Sequence, residues 1–91
     1  MSIKVRVPTP LQKLTGQKGE VMVKGKNLKE ALADLEKQCP GVHGRLYDEK
    51  GNLRRFINFY LNNEDVRFLQ GEETLLKEGD EVSIVPAIAG G

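Results

Sequence analysis

The sequence predicts an α+β domain, a mixed sheet of about five strands with one main helix on one face. Three observations carry that prediction. Apolar residues alternate at period two near both ends of the chain, they recur at helical spacing between Asn27 and Cys39, and 91 residues hold one core and no second. A chain of this size buries roughly two-thirds of the surface that it exposes when unfolded, enough to fold without covalent staples.

The opening segment Ile3-Lys4-Val5-Arg6-Val7 sets three β-branched residues on one face and two cations on the other, the pattern of a half-buried strand. Pro8 and Pro10 end it, since neither can donate to a ladder. Thr15 to Gly19 is turn material, and Leu11 and Leu14 tuck the preceding loop against the core. Glu20 to Lys24 repeats the strand pattern with Val21 and Val23 inward, and Gly25 closes it, so the two strands read as an opening hairpin.

Between Asn27 and Cys39 the period changes. Leu28, Ala31, Leu32, Leu35 and Cys39 form one helical stripe, with Asn27 as N-cap and Glu30 three residues on in a variant of the capping box. Pro40 and Gly41 stop the helix. Val42 to Asn52 reads as irregular, anchored by Val42 and Leu46, with His43 as a loop residue. A strand is expected from Phe56 to Leu61, then Asn62-Asn63, a pair that tolerates left-handed turn geometry, then a short return strand from Asp65 to Phe68. Leu75 and Leu76 suggest one helical turn, Lys77 to Asp80 a turn, and Glu81 to Val85 the last strand. The order is β-β-α-β-β-β. A right-handed crossover through the helix lets the first and last strands lie parallel at the sheet centre, which is a β-grasp, or ubiquitin-like, arrangement. Residues 1–86 are expected to form the domain, and 87–91 a flexible tail.

Composition excludes much chemistry. One Cys cannot pair within the chain, and one Cys with one His cannot build a zinc-finger, zinc-deaminase or haem-attachment ligand set. Fourteen basic against thirteen acidic side chains give a net charge of +1, so nothing electrostatic argues for nucleic acid. No apolar run is long enough to span a bilayer and the N-terminus lacks a signal-peptide core, so a cytoplasmic protein without membrane contact is expected. The glycines are too scattered for a phosphate loop. Cys39 ends a helix, where the dipole disfavours a thiolate, and reads as a buried structural residue. The doublets Glu64-Asp65, Glu72-Glu73 and Asp80-Glu81 read as a solvated rim. Lys4, Arg6 and Lys24 belong to the wet face of the sheet.

The last residues stand apart. Pro86-Ala87-Ile88-Ala89-Gly90-Gly91 carries no charged side chain in a sequence that is 30% charged. With glycine at about 7% of residues, a chance terminal pair is expected roughly once in 200 chains, which makes a frayed end an insufficient account. Pro86 is expected to stop ladder pairing, and five extended residues beyond it reach roughly 17 Å. Glycine lacks Cβ, threads narrow channels and presents the least hindered carboxylate a chain can offer. A carboxylate is a poor electrophile until it is activated. Adenylation by ATP supplies the leaving group, after which a sulfur or nitrogen nucleophile can attack the carbonyl. On this reading the chain is a co-substrate for other enzymes and not itself an enzyme.

The β-grasp order ending in Ala89-Gly90-Gly91 resembles the ubiquitin-like sulfur-carrier proteins of the ThiS/MoaD superfamily, over the whole chain. The segment Arg55-Phe56-Ile57-Asn58-Phe59-Tyr60-Leu61-Asn62-Asn63-Glu64-Asp65-Val66-Arg67-Phe68 and the ending Ile84-Val85-Pro86-Ala87-Ile88-Ala89-Gly90-Gly91 look most like the cysteine-synthesis branch. The resemblance implies that a ubiquitin-activating-like adenylyltransferase converts the Gly91 carboxylate to an acyl-adenylate and that a sulfur donor turns it into a thiocarboxylate. A pyridoxal-phosphate-dependent sulfur-transfer synthase would then use that sulfur to make cysteine, or homocysteine for methionine. A deubiquitinase-type zinc metalloprotease would release the product. ATP, pyridoxal phosphate and zinc would belong to those partners, and this chain is expected to bind none of them. Gly91 would carry the sulfur and Gly90 would give access, while Ala87, Ile88 and Ala89 would contact partners and Pro86 would aim the tail. Arg67, read as an exposed sheet residue, could assist docking. Two other uses of the same tail stay open, sulfur supply for thiamin or molybdopterin and isopeptide formation by a ubiquitin-like modifier. A third reading is a non-covalent binding module, which would tolerate residues added after Gly91 where a carrier would not.

Overall fold

The computed structural model describes residues 2–54 and 57–86. Its strands are β1 (Ser2–Arg6), β2 (Glu20–Lys24), β3 (Ile57–Leu61), β4 (Glu64–Asp65) and β5 (Glu81–Pro86), and its helices α1 (Leu28–Gln38) and α2 (His43–Leu46). One sheet runs in the order β2-β1-β5-β3-β4. β1 and β5 pair in parallel, from Lys4 opposite Glu81 to Arg6 opposite Ser83, and the remaining pairs are antiparallel. The parallel inner pair that the crossover argument expects is therefore present, and the fold is a β-grasp.

The core lies between the sheet and α1. Ile3, Val5, Val23, Phe59, Val82 and Ile84 come from the strands, and Leu28, Leu32 and Leu35 from the helix. Each such side chain contributes roughly 1.5–3 kcal/mol on burial. The Asn27 side chain caps α1 by accepting the Glu30 amide at 2.8 Å. The return bond from Glu30 goes one residue further out, to the Lys26 amide at 2.9 Å, where a strict capping box would bind the cap residue itself. Gly25 lets the chain turn tightly into α1, since a Cβ there would stand 2.5 Å from the Ala31 nitrogen. Asn62 and Asn63 take φ of 49° and 75°, the left-handed pair that a two-residue hairpin demands.

Four local expectations need correction. Thr9–Leu14, expected as loop, winds into a 3₁₀ helix, with Leu11 buried as foreseen. His43 lies in α2 and not in a loop. Its amide and that of Gly41 donate to the Glu36 carboxylate at 2.6 and 3.1 Å, so a side chain of α1 holds the start of α2, and those bonds keep the Glu36 carboxyl below its usual range. The return strand ends at Asp65, because the Asp65 carboxylate accepts the Arg67 amide at 2.9 Å and turns Val66–Phe68 into a 3₁₀ turn. The helical turn expected at Leu75-Leu76 falls at Gly71–Glu73 instead. Residues 74–76 are extended against the start of α1, with the Leu28 amide donating to the Thr74 carbonyl at 3.1 Å and the Leu76 amide to the Lys26 carbonyl at 2.8 Å. Phe56, the expected first residue of β3, lies outside the described residues.

Candidate functional site at the end of the central strand

β5 is the middle strand of the sheet and runs directly into the C-terminal segment. Pro86 is its last residue and stands opposite Ile57, which corrects the expectation that proline stops the pairing. Antiparallel bonding alternates along β3 and β5. The Asn62 amide donates to the Glu81 carbonyl at 2.9 Å, which makes Tyr60–Ser83 and Asn58–Val85 the hydrogen-bonded pairs and Ile57–Pro86 a non-bonded one. Proline fits there because no ladder bond needs its missing N–H. Of the six residues expected to carry function, Pro86 is placed in this way. Ala87, Ile88, Ala89, Gly90 and Gly91 lie outside the described residues.

The face of the sheet away from α1 carries Lys4, Arg6, Met22, Lys24, Ser83 and Val85, so the three cations are on the wet face as expected. Lys4 sits 3.8 Å from Glu20 and Arg6 3.7 Å from Glu81, solvated pairs worth little in stability. Beside the last residues of β5, a shallow concavity of about 420 Å³ opens between Arg6, Pro8, Gln12, Glu20, Ser83 and Val85. Val85 is an exposed apolar side chain next to this basin.

The acidic doublets are not uniformly a solvated rim. Asp65 is buried and grips Arg67 through both carboxylate oxygens, with the shortest contact at 2.8 Å. Those bonds hold the Asp65 carboxyl below its usual range. Arg67 therefore belongs to the 3₁₀ turn after β4 and not to the sheet, although its side chain is largely exposed. Glu72 accepts the Tyr47 hydroxyl at 2.9 Å, while His43 stacks on the Tyr47 ring at 4.2 Å. Burial and that carboxylate push the Tyr47 phenol up. Asp80 Oδ1 accepts from Asn62 Nδ2 at 3.0 Å, and Asn62 Oδ1 accepts the Glu81 amide at 3.0 Å, pinning the hairpin turn to the start of β5. The sequence carried a signal for the Asp65–Arg67 pair, an Asp two residues before an Arg after a turn, and none for Tyr47–Glu72. Cys39 is buried, as expected. Among the described residues no group of three or more His, Cys, Asp or Glu could hold a metal ion, and no helix is long and apolar enough to cross a membrane.

This chain is similar to several known proteins. The sulfur carrier protein CysO of Mycobacterium tuberculosis is 43% identical over 93 residues, spanning all of both chains. In the crystal structure of the Amycolatopsis orientalis BexX/CysO complex, the matching chain superposes with a TM-score of 0.91 at 44% identity, covering 98% of this chain and 99% of that one. The small archaeal modifier protein 3 of Haloferax volcanii is 37% identical over 62 residues, covering 68% of this chain and 66% of the relative. The model of the ThiS family matches residues 5–91, through the final diglycine. On that match, and on the end-to-end likeness to CysO, this chain belongs to the ThiS family.

Proposed function

We propose that this chain is a sulfur carrier for cysteine synthesis and that Gly91 is the residue that carries the sulfur. The observation that supports this best is the alignment with CysO, which runs the full length of both chains. The Gly91 carboxylate would attack the α-phosphorus of ATP on a ubiquitin-activating-like adenylyltransferase, releasing pyrophosphate and forming an acyl-adenylate. A hydrosulfide-equivalent donor then adds to the carbonyl and AMP leaves, so one C–O bond is exchanged for one C–S bond and no net oxidation occurs. On a pyridoxal-phosphate-dependent synthase the thiocarboxylate sulfur would replace the activating group of an activated serine, which leaves, giving a carrier–cysteine adduct. A zinc metalloprotease of the deubiquitinase type would hydrolyse the bond between Gly91 and that cysteine, releasing cysteine and restoring the Gly91 carboxylate. ATP, pyridoxal phosphate and zinc act on those enzymes.

In this chain the work is positional. β5, the middle strand, leads in sequence to residues 87–91; on this reading Pro86 would aim them, and the uncharged Ala87, Ile88 and Ala89 would contact the partners ahead of Gly90 and Gly91. The basin near Arg6 and Val85 is where an activating enzyme would seat the base of that lead.

The intact mass of the protein purified from its host tests this, measured before and after thiol alkylation and in a Cys39→Ser variant so that the internal thiol cannot mimic the signal. The expected result is a species heavier by one oxygen-to-sulfur exchange, alkylated at the C-terminus, with a cysteine adduct in the same preparation. Gly91→Ala, or one residue added after Gly91, should abolish loading, and intact loading in either would sink the mechanism. The likeness to a small archaeal modifier protein favours a second reading, isopeptide formation with lysine. Lysine-linked adducts in place of the sulfur-bearing species would establish that one.

A further inference from the structure

β2 is an outer strand of the sheet, and its outward main-chain groups can be identified. The Val7 amide donates to the Gly19 carbonyl at 2.8 Å, one step beyond the Arg6–Glu20 pair, which makes Val5–Val21 and Ile3–Val23 the hydrogen-bonded pairs. The N–H and C=O groups of Glu20, Met22 and Lys24 therefore point away from β1, as an exposed edge that another strand could use. Two of them are already engaged. The Lys24 amide donates to Asp34 Oδ2 at 3.0 Å, and Gln38 Nε2 donates to the Met22 carbonyl at 2.8 Å. Asp34 and Gln38 are one turn apart on α1 and joined at 2.9 Å, so together they offer β2 one acceptor and one donor, as a residue of a neighbouring parallel strand would.

The edge that they cover is complementary to itself. If a second β2 lies antiparallel to the first and centred on Met22, Glu20 of each copy faces Lys24 of the other and Met22 faces Met22. All the outward groups of Glu20, Met22 and Lys24 then find partners. Met22 is 53% exposed and would be covered in part by its counterpart. We propose that the β2 edge is a latent interface for a second copy of this chain, held shut by the Asp34–Gln38 pair. This stands apart from the sulfur chemistry at Gly91 and does not depend on it.

The test is the mass in solution of the full chain and of an Asp34→Ala/Gln38→Ala variant, by sedimentation equilibrium over a concentration series. The wild type should stay monomeric and the variant should double in mass. Adding Lys24→Glu to the variant places like charges opposite one another and should return it to monomer, and further adding Glu20→Lys should restore the dimer. A folded variant that remains monomeric, or a dimer indifferent to Lys24→Glu, overturns the proposal. Gln38 is exposed and Asp34 half-buried, and neither belongs to the core, so folding should survive their loss. A second reading covers the case where it does not. In a Cys39→Ser background, Met22→Cys should form a disulfide-linked dimer faster when Gln38→Ala alone loosens the latch, and equal rates would likewise refute it.

Discussion

Pro86 faces Ile57 at a sheet position where neither residue owes the other a hydrogen bond. The imide nitrogen therefore costs the sheet nothing, and the strand stays paired up to Pro86 itself. Replacing Pro86 by Ala should lower stability by no more than about 1 kcal/mol, the entropy that proline removes from the unfolded chain. Chemical denaturation reads this directly. A much larger loss would mean that Pro86 supports packing that the register does not account for.

Gly25 and Gly44 make a contrasting pair. A Cβ at Gly25 would collide with main-chain atoms of Glu30 and Ala31, and main chain cannot swing aside as a side chain can. Gly25→Ala should therefore cost about 1–3 kcal/mol, by forcing the first turn of α1 off β2. Gly44 lies in α2 with nothing within 4 Å of its added Cβ. Gly44→Ala should be neutral or stabilising by up to about 1 kcal/mol, since alanine is the better helix former. Thermal melts of the two variants should move in opposite directions or, at the least, differ clearly in size.

Tyr47 ties the α2 segment to the turn at Gly71–Glu73 through Glu72. Its phenol is raised in the folded state by burial first and by the Glu72 carboxylate second. The folded protein thus holds the proton more tightly than the unfolded chain, where tyrosine titrates near pH 10. The stabilisation is complete below that pH and is lost as pH rises above it. Tyr47→Phe should flatten the alkaline part of the stability profile, and an unchanged profile would exclude Tyr47 as its source.

Asp65 acts at the other end of the scale. Arg67 and the Arg67 amide hold its carboxyl below the usual aspartate range. Its contribution is present above the unfolded value of about 3.9 and disappears as pH falls through the lower folded value. Asp65→Asn should lower the melting temperature at neutral pH and shrink the difference from wild type in acid. It should also speed amide exchange at Arg67, because the 3₁₀ turn loses its charged cap. Parallel melting curves at every pH would show that the charge plays no part.

The sequence by itself determined β1, β2, α1, β3, the Asn62-Asn63 turn and β5, because period, capping residue and left-handed propensity are properties of a few contiguous positions. It also singled out the diglycine ending, which is a matter of composition at one place. Only the tertiary structure decided the rest. Asp65 reads as a solvated acid until the turn after β4 folds Arg67 back onto it. His43 reads as loop until Glu36, seven residues away on α1, captures its amide. Pro86 reads as a ladder breaker until the register with β3 shows that its position needs no donor, and the β2 edge reads as open until α1 brings Asp34 and Gln38 against it. The Asp65–Arg67 pair is two residues apart and left a local sign, whereas His43, Pro86 and the β2 edge are decided by which elements pack or pair against them, and no local pattern records that.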